Sequence, residues 1–371
     1  MLNGGENLRI LVVIGTRPEA VKMLPLVIEL RKHVEFEVMI CHSGQHAKMA
    51  EEVFEYFGIA PHFCFDAMKN GQSLSEMTCR LLNYFNVLFD EVVPDIILVQ
   101  GDTTSAFCAS LSAFYKRIRV GHIEAGLRTF KARSPFPEEF NRVAIDSMSD
   151  YHFAPTYRAC ENLKKEGRKS VFTVGNTVID ALKYTVRENY SSSLLECARE
   201  RKIVLITTHR RENIGKKMLS SLIGIRDVLV EREELFAILP MHPNPLAREV
   251  ISTVFEGVKN ISICEPLALY DFHNILARAF CVFTDSGGVQ EEASYLGVPV
   301  FILRDTTERQ EALESGNARL VGTEREDVAR ELENAIANPD FTESMRKCST
   351  AFGDGHASEK IVKALLQNFK L

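Results

Sequence analysis

Charged side chains come in short bursts directly after apolar runs in this 371-residue sequence. Gln100-Gly101-Asp102-Thr103-Thr104 follows Ile96–Val99. Glu124-Ala-Gly-Leu-Arg128-Thr follows Arg119–Ile123, and Pro135-Phe-Pro137-Glu138-Glu139-Phe-Asn141-Arg142 comes soon after. A lone loop carboxylate is ordinarily solvated, and Asp102 would serve equally well as a helix N-cap. Brought together, Asp102, Glu124 and Glu138 would raise one another's pKa through repulsion and burial. Such a trio suits proton transfer near neutral pH.

Other bursts suit anion binding. Gly15-Thr-Arg17-Pro18-Glu19-Ala-Val-Lys22 sets Arg17 and Lys22 near a helix start, where N–H groups already favour anions. A capped turn with solvated charges is the alternative. Thr208-His209-Arg210-Arg211-Glu212-Asn213 offers an acid and a diphosphate clamp, or else a salt-bridged loop. Met241-His242-Pro243-Asn244-Pro245 and Arg304-Asp-Thr-Thr307-Glu308-Arg309 each follow a strand candidate. The strongest motif is Thr284-Asp285-Ser286-Gly287-Gly288-Val-Gln-Glu291-Glu292. Its glycines allow close approach to a phosphate and its free N–H groups donate. Glu292, one turn beyond Gly288, could accept from a ribose diol. A capped turn without ligand is the competing reading.

These bursts need a frame. Strand candidates are Ile10–Ile14, Phe36–Cys41, Ile96–Val99, Arg119–Ile123 and Tyr151–Ala154, then Ile203–Thr207, Leu235–Leu239, Ile261–Ile263, Cys281–Thr284 and Val300–Leu303. Most are continuous apolar runs, as in strands buried on both faces. Amphipathic stretches such as Pro18–His33, Ser105–Tyr115 and Pro245–Phe255 lie between them. The alternation predicts an α/β fold of doubly wound parallel sheets. It occurs twice, with a break near Gly175–Ser193. We therefore expect two Rossmann-like domains, 1–175 and 176–356, with a central cleft. The helix Ala357–Phe369, within 357–371, would turn back onto the first domain after Phe352-Gly-Asp-Gly-His356. Ligands in such folds sit beyond the C-terminal strand ends, where the bursts lie.

Composition narrows the classes. Hydrophobic residues make up 46% and charged residues 25%, as in ordinary globular proteins. The net charge of −6 argues against a nucleic-acid binder. Nine scattered cysteines show no Cys-x-x-Cys pair, which argues for reduced, buried thiols and against a thiolate zinc site. His42 and His46 have metal-like spacing, but Ser43-Gly44 between them reads as a loop, so no metal is expected. No apolar run approaches the roughly 18–20 residues that span a bilayer. The first apolar run leads straight into Gly-Thr-Arg-Pro-Glu, as a strand would and a signal peptide would not. We expect a cytoplasmic protein without membrane insertion. Gly-x-Gly-x-x-Gly is absent, which leaves NAD unsupported.

Read in order, Gly-Thr-Arg-Pro-Glu-Ala-Val-Lys22, Gly-Asp-Thr-Thr104, His-Ile-Glu-Ala-Gly-Leu-Arg-Thr129, Pro-Glu-Glu-Phe-Asn-Arg142, Gly-Asn-Thr-Val-Ile-Asp180, His-Arg-Arg-Glu-Asn213, Thr-Asp-Ser-Gly-Gly-Val-Gln-Glu-Glu292 and Arg-Asp-Thr-Thr-Glu-Arg309 form a recognisable set. It resembles the bacterial non-hydrolysing UDP-N-acetylglucosamine 2-epimerases, from about Leu8 to the C-terminal helix. The resemblance implies a GT-B-like fold and no cofactor. UDP-N-acetylglucosamine and UDP-N-acetylmannosamine would interconvert by loss of UDP to 2-acetamidoglucal and re-addition. It implies Asp102, Glu124 and Glu138 as acid–base groups, with His209 assisting the leaving diphosphate. Arg17, Lys22, Arg142, His242, Phe272, Ser286, Gly287, Gly288 and Glu292 would contact substrate or UDP. A homodimer is also implied.

Gln45, His46, Arg210 and His242 resemble an activating second substrate site in this family. Lys48 and Gly71 stand where so regulated members tend to carry Gln and Arg, and Gln310 where relatives have Pro. Loss of a guanidinium removes a bidentate phosphate partner. Rival readings are a hydrolysing epimerase, a glycosyltransferase of this fold and a silent nucleotide-sugar sensor. The intact Gly15–Lys22 loop argues against the first. The three carboxylates together argue against the other two.

Overall fold

Parallel pairing of short apolar strands organises the chain. The structure is a computed structural model that describes residues 7–44, 47–68, 71–208, 210, 213–242 and 244–370. Two units emerge, Met1–Ala181 with Gly353–Leu371, and Leu182–Phe352. The division falls at Ala181, inside the helix Thr177–Thr185 and a few residues past Gly175.

In the first unit β1 (Leu8–Ile14), β2 (Phe36–His42), β3 (Phe63–Cys64), β4 (Ile96–Gln100), β5 (Arg119–Ile123), β6 (Tyr151–Ala154) and β7 (Val171–Thr173) form one sheet. Its order is β3-β2-β1-β4-β5-β6-β7, parallel throughout. The second unit holds β8 (Lys202–Thr207), β9 (Leu235–Pro240), β10 (Ile261–Cys264), β11 (Cys281–Thr284), β12 (Val300–Ile302) and β13 (Ala318–Leu320). Its order is β10-β9-β8-β11-β12-β13, again parallel. Both sheets are of the doubly wound class expected. Each reverses its winding once, at β1/β4 and at β8/β11, and crevices for ligands open at such points.

Helices cover both faces because the central strands are apolar on both. Ile96–Gln100 is buried throughout, as is Cys281–Thr284. Met77, Leu81, Phe85 and Phe89 from the helix Leu74–Val92 pack on the first sheet. Met218, Leu222 and Ile225 cover the second, where Phe283 and Phe301 stack at 4.8 Å. Each such large side chain removed from water contributes about 1.5–3 kcal/mol. Local signals set the helix starts. Ser73 and Glu76 form a capping box, and Asn244 caps a helix that opens on Pro245. Among the described residues no helix is long and apolar enough to cross a membrane.

The helix Ala357–Phe369 belongs to the first unit and packs against the helix Arg17–Leu30. Its N-cap residue, His356, makes no side-chain cap bond. Asp180 supplies the missing acceptor, taking the Ser358 N–H at 2.8 Å and the Ala357 N–H at 3.1 Å. The last residue of Gly-Asn-Thr-Val-Ile-Asp180 thus caps a helix that starts 177 residues later. Replacing Asp180 by Ala should cost about 1–3 kcal/mol, by leaving two buried donors unpaired. Urea unfolding would measure the loss, and hydrogen exchange should place it in the C-terminal helix.

Candidate active site

The first unit gathers its acids at the β1/β4 crossover. Helix capping decides which are available. Thr103 caps the helix Thr104–Tyr115, its hydroxyl accepting from the Ala106 N–H at 3.1 Å. That removes the capping role open to Asp102. The Asp102 carboxylate instead takes Arg142 Nη2 at 2.6 Å and stays 28% exposed. Asn141 Nδ2 donates to the Asp102 carbonyl at 2.9 Å. Burial pushes the Asp102 carboxyl up; Arg142 opposes the shift, and Glu124 and Glu138 add to it. The three carboxylates therefore share one electrostatic neighbourhood, as the sequence suggested.

Glu124 directly follows β5 with φ at 65°, a left-handed conformation that a residue with a side chain adopts at a cost of about 1–2 kcal/mol. Its buried carboxylate receives Lys22 Nζ at 2.7 Å on both oxygens, Asn176 Nδ2 at 3.0 Å and Gln100 Nε2. Lys22, read as an anion-binding cation, thus pairs with a site carboxylate. Glu138 opens the helix Glu138–Met148, where the sequence suggested a loop. Its Oε2 and Arg142 Nη1 are buried without a hydrogen-bond partner among the described residues. Glu139, next along, is structural. Its Oε1 accepts the N–H groups of Thr129 and Phe130 at 2.9 Å each and closes the preceding loop.

Arg17 begins the helix Arg17–Leu30, with Pro18 in its first turn as expected. Glu19, not singled out from sequence, braces this loop to the next. It accepts from the Gly15 N–H at 3.2 Å and from Thr103 Oγ1 at 2.9 Å. Gln100 and Asn176 were also missed. The usable signal was a polar residue closing an otherwise apolar buried strand, as Gln100 does.

The second unit builds a different site at β8/β11. Ser286 is the N-cap of the helix Gly287–Tyr295 but makes no side-chain cap bond. Its own N–H is taken by Thr284 Oγ1 at 2.9 Å. The donors left for an anion are therefore first-turn N–H groups, beginning at Gly287 and Gly288. A side chain at Gly287 would stand 3.1 Å from the Arg309 guanidinium, so glycine lets that cation lie close over the turn. The Glu292 carboxylate does fold back toward Gly288, 4.0 Å from the position of an added Cβ.

Glu292 also lies 3.6 Å from Nε2 of the buried His273, whose Nδ1 meets Thr185 Oγ1 at 2.7 Å. Phe272 precedes it on the helix Leu269–Ala277. Asp285 is structural, accepting the Arg210 N–H and Asn213 Nδ2 at 3.1 Å each. Arg210 also pairs with Glu308 at 3.0 Å, in line with the salt-bridged reading of its loop. Burial would raise the Glu308 carboxyl, but Arg309, Arg304 and Arg210 hold it far below the usual range. His242 follows β9 and accepts the Asn244 N–H on Nδ1 at 3.1 Å. His209, Gln45 and His46 lie outside the described residues, as does the Lys48 side chain.

With this geometry in hand, comparison with known proteins is informative. The sequence profile of the UDP-N-acetylglucosamine 2-epimerase family matches residues 28–366. The chain belongs to that family. A UDP-N-acetylglucosamine 2-epimerase of Bacillus subtilis is 45% identical over 98% of this chain and 96% of its own. Among solved structures, the UDP-GlcNAc 2-epimerase of Neisseria meningitidis bound to UDP-GlcNAc matches with a TM-score of 0.91. It is 38% identical, over 97% of this chain and 100% of that one. MnaA of S. aureus, solved with UDP, matches with a TM-score of 0.92 at 38% identity, over 98% and 97% of the two chains. The family member described here is thus an enzyme with the GT-B-like pair of Rossmann-like units.

Glu19 makes its stability depend on pH. Burial pushes the carboxyl up from its ordinary 4.5 to about 7, against hydrogen bonds from Thr16, Thr103 and Gly15 that lower it. Between these values the folded state holds a proton that the unfolded chain has released. Stability should therefore fall as pH rises from 4.5 to about 7, by on the order of 3 kcal/mol. Glu19→Gln should flatten that slope in urea titrations run across the window. An unchanged slope would mean that Glu19 ionises normally.

Proposed function

We propose that this enzyme interconverts UDP-N-acetylglucosamine and UDP-N-acetylmannosamine by elimination and re-addition of UDP. The observation that carries the reading is the shared electrostatic neighbourhood of Asp102 and Glu124, each just past a strand, and Glu138, at a helix start. Relatives of the same fold bind UDP and UDP-GlcNAc, which supports the substrate.

Chemically, inverting C2 demands that its hydrogen leave and return on the opposite face. In the elimination, a base takes the C2 proton and the C–H electron pair becomes the C1–C2 double bond. The C1–O bond breaks and its electrons leave with UDP. Re-addition reverses each step, with the proton delivered from the other side. Two acid–base groups of differing proton affinity serve this well. The upward push on Asp102 suits a group that gives and takes a proton. Glu124 faces an ammonium and two amide donors, which favour its ionised form. Among the described residues an oxygen of Glu138 and an N–H of Arg142 have no partner, and the sugar would supply one.

UDP would be held by the second unit, with its diphosphate at the first turn of Gly287–Tyr295 and its ribose on Glu292. Phe272 and His242 would complete the contacts, and His209 would assist departure of the diphosphate. Arg17, at the start of the helix after β1, would also contact the substrate. Neither the chemistry nor these contacts call for a cofactor. The reading extends to a cytoplasmic homodimer whose product feeds surface polysaccharide synthesis.

NMR of the sugar in deuterated water tests the chemistry. Deuterium should enter C2 as UDP-N-acetylmannosamine forms, and epimerisation without C2 exchange would sink the mechanism. Release of free N-acetylmannosamine would instead indicate hydrolysis. Asp102→Asn and Glu138→Gln should each slow C2 exchange by about 100-fold or more while UDP still binds.

A further inference from the structure

Both ring nitrogens of His122 face acceptors. Nδ1 lies 2.6 Å from Asp146 Oδ1, and Nε2 lies 2.7 Å from the carbonyl oxygen of Gly101. A neutral imidazole has one N–H to donate, so with Asp146 ionised only the imidazolium satisfies both contacts. The ring is wholly buried on β5, where a charge needs a partner. Asp146, equally buried, provides it.

The other Asp146 oxygen receives Arg128 Nη2 at 2.7 Å and the Gly126 N–H at 3.2 Å. Arg128 continues to Glu166 at 2.7 Å. His152, in register with His122 on β6, places its ring nitrogens on the carbonyl oxygens of Asp146 and Lys169. Burial alone would raise the Asp146 carboxyl, but His122 and Arg128 outweigh it and hold the group below the usual carboxylate range.

The contacts of this cluster lead to the site. Gly101 immediately precedes Asp102 and turns the chain with φ at 68°. Its N–H is held by the Ile123 carbonyl at 3.0 Å and its carbonyl by His122, so both of its peptide groups are fastened to β5. Gly126 lies two residues beyond Glu124, and Asp146 sits on the helix that Glu138 opens. One buried ion cluster thus touches all three carboxylate-bearing segments. We infer that His122 is a positioning residue, a buried imidazolium paired with Asp146 that fixes the Gly101-Asp102 peptide and aims the Asp102 carboxylate. The inference rests on the reading of Asp102 as an acid–base group.

NMR of the full chain labelled with [15N]histidine tests it, with His122→Gln assigning the signals. At neutral pH both ring nitrogens of His122 should carry protons, and one bare nitrogen overturns the proposal. His122→Gln cannot span both contacts. It should lower kcat by about 100-fold while KM and UDP affinity stay within about two-fold. Asp146→Asn keeps the shape but removes the counter-charge. It should strip one proton from His122 and lower kcat likewise, which decides the matter should His122→Gln not fold. Asp102→Asn separates the two claims. Full turnover by Asp102→Asn overturns the reading of Asp102 and the positioning role with it. Loss of turnover in Asp102→Asn beside wild-type kcat in His122→Gln overturns the positioning role alone.

Discussion

A carboxylate buried at the end of a parallel strand has to be paired, and Glu124 draws its partners from three other segments. Lys22 comes from the helix after β1, Gln100 from the last residue of β4, and Asn176 from the start of the helix Thr177–Thr185. Breaking a buried pair of this kind by removing one partner typically costs about 3–5 kcal/mol. The loops after β1, β4 and β5 are therefore not independent. Each is fixed in part by its bond to one charged group. Pairing also lets Glu124 keep its left-handed backbone, a strain that recurs at functional sites where surrounding bonds over-determine the conformation.

The same winding rule explains why chemistry appears twice. In each unit the first strand and the next one across the crossover run parallel, and their following helices depart to opposite faces. Loops at that point cannot pack over each other, so their polar groups face an open crevice. Gly15–Lys22 and Gln100–Thr104 flank the crossover in the first unit. In the second, the loop after β8 meets the turn at Ser286, where Asp285 ties them together through Arg210 and Asn213.

Sequence revealed this architecture unevenly, for physical reasons. Central strands such as Cys281–Thr284 and Ile96–Val99 read correctly, because burial on both faces demands an apolar run. The strands that escaped notice, β3, β7 and β13, all lie at sheet edges. They are two or three residues long and partly exposed, so neither run length nor alternation marks them. The acids Asp102, Glu124, Glu138 and Glu292 were legible because they sit in long motifs after strands. Their supports were not. Glu19, Gln100, Asn176, His122 and Asp146 act across as many as 84 residues, and no local pattern records such a partner. Capping was the ambiguous middle case. Asp102 and Thr103 are both good caps, and only the backbone geometry shows that Thr103 takes the role.

The two frames are alike, but their acids sit in opposite electrostatic surroundings. In the second unit the acids beside the turn are pinned by guanidinium groups: Glu291 by Arg309, and Glu308 by Arg304, Arg309 and Arg210. These pairs orient cations around a helix start that already favours an anion. The first unit does the reverse. Burial and neighbouring carboxylates push Asp102 upward, and Arg142 offsets only part of that. Asp102 meets one guanidinium, whereas Glu308 meets three. The two units therefore differ in the surroundings of their acids more than in their frames.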